Sequence, residues 1–261
     1  MSKVRWMMAA AAMVFGGAAY AADPAAAQNV GGVEGSGGTV KGIVKFDGRM
    51  ATRRPIRMDQ DPFCASAHTG DAVALNEMFV FGEGPNKEPV LQNVLVYVTK
   101  GLEGKTFPAP EKPALMDQIN CVYVPHVLAM VAGQPLHIHN SDSTLHNVKM
   151  TSSNNGSFNE GMPVKDMVLE KTLAKPEMGV SMKCDVHPWM GSYVHVLPHP
   201  FFAVTGADGT FTIKGLPPGE YEVSVRHEFD KFTPTPATAT VTVEEGKEAT
   251  TEFTYRPPGG N

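Results

Sequence analysis

Cys184-Asp185-Val186-His187-Pro188-Trp189-Met190 places a thiol, an imidazole and a thioether in one short stretch, spaced Cys-x2-His-x2-Met. A second imidazole lies upstream in Leu145-His146-Asn147-Val148. Soft sulfur and borderline nitrogen together select copper over oxygen-loving cations. Two imidazoles, a thiolate and a weak axial thioether make the donor set of a blue-copper centre. The stretch therefore reads as part of a mononuclear site formed by His146, Cys184, His187 and Met190, holding copper as Cu(I) or Cu(II). A bound metal deprotonates the thiol itself. The plainer reading is a buried structural cysteine beside a core-filling methionine. His187 is expected to turn its edge to the surface, with Pro188 and Trp189 beside it as an apolar docking patch; for Trp189 the alternative is packing under the loop.

The frame around this loop reads as β. Met178–Met182 leads into Cys184, and Tyr193–Leu197 follows. Upstream, Thr39–Phe46 alternates apolar and polar residues and ends at Asp47-Gly48; Met78–Phe81, Val94–Val98, Cys121–Val131, Leu136–Asn140, His146–Met150 and Met167–Leu173 read as further strands. Downstream come Phe201–Val204, Thr210–Ile213, Tyr221–Val225, Ala239–Val243 and Thr250–Tyr255. Short strands at regular spacing, separated by Gly/Pro turns, indicate an all-β sandwich protein. Residues 49–77 read as irregular, the Pro-rich 101–113 as a linker and 151–163 as a polar loop, and no long amphipathic helix stands out.

The chain opens on Lys3 and Arg5, an apolar run from Trp6 to Ala19, and Ala19-Tyr20-Ala21. That is the pattern of an export signal over 1–21, cut after Ala21. Residues 22–38, Ala-rich and then Gly-rich, read as a flexible leader. No other segment is long and apolar enough to span a bilayer, so the expected location is periplasmic or secreted. Three cysteines are present, Cys64, Cys121 and Cys184. In an oxidising compartment thiols tend to pair, and a Cys64–Cys121 disulfide would leave Cys184 for the metal. A second metal site from Cys64, His68, Cys121 and His126 is the other use of these residues. His137 and His139 share one strand face and read as surface or interdomain residues.

The formal charge of −5 without a basic stripe argues against nucleic acid. No nucleophile elbow, phosphate loop, dinucleotide fingerprint or His-Glu-x-x-His helix occurs. A thioether-capped copper leaves no open position for substrate, so an enzyme is not expected.

From about Gln118 to Leu197 the chain resembles a cupredoxin, on Val131-Ala132-Gly133-Gln134-Pro135-Leu136, Asn140-Ser141-Asp142, His146-Asn147-Val148 and the Cys184 loop. The short His-to-Met gap and Pro188 look most like amicyanin rather than plastocyanin. The resemblance implies a Greek-key β-sandwich in which Asn147 pins the ligand loop by hydrogen bonding. It also implies single-electron transfer with a redox partner protein of dehydrogenase or cytochrome c type. Residues 201–256 resemble a transthyretin-like, carboxypeptidase-regulatory-like module, on Val204–Tyr221 with its Gly206-Ala207-Asp208-Gly209 and Leu216-Pro217-Pro218-Gly219 turns. Its opening strands would be 39–48 and 93–98. The expected organisation is a first host part at 39–112, a copper domain at 113–198 nested in it, the rest of the host at 199–256 and a tail at 257–261. Two rival functions are copper storage or delivery, and an envelope carbohydrate-binding or structural protein with an accessory copper site.

Overall fold

The computed structural model describes residues 30–70 and 73–258. The expected signal segment, most of the leader and the end of the tail lie outside them. In chain order the first elements are β1 (Val30–Gly32), β2 (Gly38–Phe46), α1 (Pro62–Ala67), β3 (Phe81–Glu83), β4 (Pro89–Leu91) and β5 (Leu95–Lys100). The middle holds β6 (Ala114–Ile119), β7 (Val122–Val124), β8 (Val127–Val131), β9 (Pro135–Asn140), β10 (His146–Thr151), β11 (Phe158–Met162), β12 (Met167–Thr172), β13 (Glu177–Lys183) and β14 (Gly191–Leu197). The last are β15 (Phe202–Val204), β16 (Thr210–Leu216), β17 (Gly219–Arg226), β18 (Thr233–Thr235), β19 (Thr238–Val243) and β20 (Glu248–Arg256). The chain is thus nearly all β, as its alternating segments and turn residues require.

Four sheets form. One runs β1-β16-β2-β20-β18, with β4 joining β2 to β3, and a second runs β15-β5-β17-β19. The others run β11-β10-β13-β14-β8 and β12-β9-β6-β7. Among the described residues, strands between Ala114 and Leu197 pair only with one another, and the flanking strands pair across that span. The parallel β2–β20 ladder, Thr39 to Phe46 against Glu248 to Tyr255, ties the two flanks together.

Two cores follow from the sheets. Val40, Val44, Val96, Phe211, Ile213, Tyr221, Val223 and Phe253 fill one. Met116, Tyr123, Met130, Leu136, Ile138, Val148, Met182 and Val194 fill the other. Leu95, Val127, Leu197 and Val204 join them in a small cluster of their own. Met58 and Cys64, expected in the first host part, belong to the second core instead.

Several local expectations change. The leader is not free over its last residues: β1 pairs parallel with β16, Val30 opposite Thr212. Its glycines serve close approach, since a Cβ on Gly31 would stand 1.5 Å from the Phe202 carbonyl oxygen. Residues 49–77 contain α1, with Asp61 as its N-cap and Pro62 in its first turn, two strong start signals on a helix too short to show periodicity. The strand expected at 78–81 begins only at Phe81 and forms a hairpin with β4. The polar loop 151–163 carries β11, whose Asn, Glu and Gly are poor strand formers held by pairing with β10. The Cys121–Val131 run breaks at Pro125 into β7 and β8.

Candidate metal centre

β13 delivers Cys184 at its end, and the loop to β14 holds the rest of the motif. The loop folds on itself: the Cys184 amide donates to the Met190 carbonyl (3.4 Å) and the Met190 amide to the His187 carbonyl (2.9 Å). The His187 amide points at Cys184 Sγ, 3.3 Å away. β10 lies beside β13, with Lys149 opposite Lys183, and this ladder brings His146 to the same place.

Asn147 fastens the loop to β10. Its Oδ1 accepts from the amides of Asp185 (2.7 Å) and Val186 (3.2 Å), and the Cys184 thiol lies 3.4 Å from it. Its amide in turn donates to Asn159 on β11.

His146 Nδ1 and His187 Nδ1 face each other at 2.9 Å, and Cys184 Sγ stands 3.8 Å from His187 Nδ1. One donor atom from each of His146, Cys184 and His187 lies within 4.8 Å of the others, all three side chains being buried. Met190 is buried in the same core.

The outer nitrogens are tied to carboxylates. Asp142 Oδ2 meets His146 Nε2 at 2.9 Å, and Asp61 Oδ2 meets His187 Nε2 at 3.2 Å. A carboxylate on one ring nitrogen keeps the proton there and aims the lone pair of the other at a metal. Asp142 is itself held by the amides of Asn120 and Cys121, each 2.7 Å away. Asp61 Oδ1 accepts the Phe63 and Cys64 amides at the start of α1, and Thr144 Oγ1 donates to its Oδ2.

The charges agree with this arrangement. Burial pushes the His146 imidazole down, but Asp142 and the Cys184 sulfur outweigh it and raise it to about 9. Burial pushes the Cys184 thiol up, yet the bond from His146 and the nearby amides bring it below its ordinary value. Burial lowers His187, and the cationic tendency of His146 adds to that against the opposing pull of Asp61. The contact between His146 and Cys184 thus shifts the two groups in opposite directions, His146 up and Cys184 down.

One expectation fails. His187 does not turn an edge to solvent: it is 1% exposed, closed in by Asp61 and by Cys64 Sγ, 3.6 Å from its Nε2. Pro188 is exposed and Trp189 half-buried. The Trp189 indole N–H donates to the Cys121 carbonyl (3.1 Å) and its ring lies 5.0 Å from that of His187. Cys64 and Cys121 are joined as a disulfide and Cys184 is free. His68 and His126 take separate partners, the Asn120 carbonyl and Glu228. His137 faces Glu170.

No family model matches the chain, and no curated protein does. Solved structures resemble parts of it. A copper-containing nitrite reductase from Thermus scotoductus SA-01 shares 18% identity over 37% of this chain, with a TM-score of 0.31, and the chain spans only 24% of that protein. An amicyanin variant in the Cu(I) state shares 20% identity over 31% of this chain and 79% of its own (TM-score 0.28). A purple cupredoxin from Nitrosopumilus maritimus shares 20% over 31% of this chain and 97% of its own (TM-score 0.28).

Asp61 and Asp142 are the two site residues that motif reading assigned no role. Asp142 stood in the quoted Asn140-Ser141-Asp142, and Asp61-Pro62 carried a helix-start signal, but neither pattern says which side chain will face a distant histidine. Among the described residues no helix is long and apolar enough to cross a membrane.

Proposed function

We propose that this chain is an exported blue-copper protein that passes single electrons between redox partners, with His146, Cys184 and His187 around the metal and Met190 as the weak axial donor. The observation that carries the reading is the facing pair of Nδ1 atoms beside Cys184 Sγ, each imidazole fixed from behind by a carboxylate. Such a donor set fits copper by softness and by count. Copper bound there would supply a one-electron couple. The protein's part is to keep the ligands still. Asn147 and the bonds within the loop resist the rearrangement that a change of charge would otherwise drive, and burial excludes water and competing ligands.

The remaining readings follow from it. The partner is a dehydrogenase or a cytochrome c type protein, and the setting is the periplasm or the exterior. Residues 113–198, with Met58 and Cys64 packed into their core, act as a copper domain carried on a transthyretin-like host formed by the rest of 39–112 and by 199–256. Since His187 is covered, a partner would dock over the loop at Pro188 and Trp189 without touching the ligand ring. Delivery of copper by ligand exchange needs an open ligand, and the buried His146, Cys184 and His187 argue against it.

Purified protein given Cu(II) should develop the intense visible band of thiolate-to-copper charge transfer, and Cys184→Ser should abolish it. A wild-type protein that binds Cu(II) without that band overturns the proposal.

A further inference from the structure

The Cys184 loop is held at both ends. Asn147 takes the amides of Asp185 and Val186 at the near end. The far end, past Met190, is gripped by the corner between β7 and β8. His126 Nδ1 meets the Gly191 carbonyl at 3.2 Å, the Ser192 hydroxyl donates to the Pro125 carbonyl (3.1 Å), and the Tyr193 amide donates to the His126 carbonyl (3.0 Å). The corner is held in turn from outside the middle strands. His126 Nε2 lies 2.9 Å from Oε2 of Glu228, in the segment between β17 and β18.

Both members of this pair are buried. The Glu228 side chain is 5% exposed and that of His126 10%. A carbonyl and a carboxylate can only accept, so both ring nitrogens of His126 must donate, and the ring is an imidazolium. Burial pushes its pKa down, but Glu228, and after it Glu77 at 3.8 Å from Nδ1, outweigh that and raise it above the ordinary value. A buried ion pair of this kind is left uncompensated when one partner is removed. Glu228 itself has a firm base. His227 and Phe229 on either side of it pack with Phe79 and Phe232, and the Phe229 amide donates to His227 Nδ1 (3.1 Å).

We infer that Glu228, acting through His126, is a positioning residue for Met190: the strands after Leu197 fix the far end of the ligand loop, as Asn147 fixes its near end. Gly191 follows Met190 directly, so a shift at its carbonyl moves Met190 with it. The inference rests on the proposed copper site for its functional meaning, since Met190 is the weak axial donor there and the axial ligand tunes the potential of such a centre. It gives the flanking sheets a part in that site although they supply none of its donors.

The test uses the mature chain, wild type against Glu228→Ala and Glu228→Gln. Glutamine can donate its amide to His126 Nε2 and leave Nδ1–H on the Gly191 carbonyl, so it keeps the arrangement without the charge. In metal-free protein, amide exchange at Cys184, Met190 and Tyr193 should be faster by about tenfold or more in Glu228→Ala, the effect of losing a hydrogen bond to a charged group. It should stay close to wild type in Glu228→Gln, and the β2–β20 ladder should exchange alike in all the chains. In copper-loaded protein the potential should rise in Glu228→Ala, where a looser thioether donates less to the more highly charged ion, and match the wild type in Glu228→Gln. Glu228→Asp, whose carboxylate is drawn back by one methylene, replaces Glu228→Ala if that variant does not fold. Unchanged loop exchange or an unchanged potential in the disrupting variant, equal disturbance by glutamine, or a single protonated ring nitrogen at His126 in the nitrogen NMR spectrum of the wild type at neutral pH each overturn the inference. If the wild type binds Cu(II) without its blue band, the copper proposal fails, and the exchange comparison still decides whether Glu228 holds the loop.

Discussion

Asp61 Oδ2 lies 3.2 Å from His187 Nε2, and this contact closes the outer edge of the imidazole. The same carboxylate starts α1 through its other oxygen, and the first turn of α1 carries Cys64, bonded to Cys121. Helix start, disulfide and His187 are thus one mechanical unit. A segment far from the Cys184 loop in sequence determines how that loop meets its surroundings.

Asp61→Asn separates the charge of this contact from its shape. Asparagine caps a helix about as well as aspartate, so α1 should stay in place while the negative charge beside His187 is lost. A carboxylate on a ligand imidazole favours the more highly charged metal state. The variant's copper potential should rise by about 60 mV, corresponding to a tenfold change in relative affinity for the two oxidation states. Voltammetry of copper-loaded wild type and variant reads this directly, and an unchanged or lower potential contradicts it.

Cutting the disulfide from its two ends should not cost the same. Its cysteines are 57 positions apart, and closing a loop of that size stabilises the folded state by about 4 kcal/mol. Cys64→Ala should lose about that much. Cys121→Gly loses the same bond but relieves the left-handed strain at φ 58°, so its loss should be smaller by about 1 kcal/mol. Guanidinium unfolding at matched conditions ranks the two; equal losses, or a larger loss for Cys121→Gly, would count against the strain argument.

Much of this was legible in the sequence because it is local. The Cys184–Met190 spacing, the alternation of Thr39–Phe46 and the Gly/Pro turns each encode their own geometry. What was not legible depended on distant pairing. β11 has a poor strand composition and exists because β10 holds it, and β1 is a strand because Gly31 and Gly32 let it lie against the backbone at β15 and β16. The covering of His187 escaped for the same reason: its partner Asp61 lies 126 positions away, and no spacing rule connects them. The motif shows which atoms can bind a metal, but not which residues close around them.

Asn147→Ala removes the side chain that accepts from both Asp185 and Val186. Two half-buried amides then lose their partner, at up to about 1–3 kcal/mol for each one left unsatisfied. The Cys184 loop should loosen without losing its donors. The expected result is a copper-loaded protein that keeps the thiolate band, broadened or shifted, together with a lower guanidinium midpoint. Wild-type stability in the variant would mean that Asn147 does not pin the loop.

His195 gives the pH dependence a definite sign. It sits on β14, 2% exposed, and its Nδ1 accepts the Gly179 amide (3.2 Å). Burial, helped by the nearby Arg226 charge, lowers its pKa to about 3. The unfolded chain takes up a proton near 6.5, where the folded chain does not. Above 6.5 both states are neutral at this residue and it contributes no slope. As pH falls from 6.5 towards 3 the unfolded state is favoured by about 1.4 kcal/mol per pH unit. His227, lowered to about 4 mainly by burial, adds a parallel loss over the upper part of that window. His195→Asn keeps a side-chain acceptor for Gly179 but cannot titrate, so its stability should fall less steeply with acid than the wild type's by about that amount per unit. Urea midpoints measured from pH 7 down to pH 4 test the slope, and parallel curves for the two proteins would show that His195 is not the residue that senses acid.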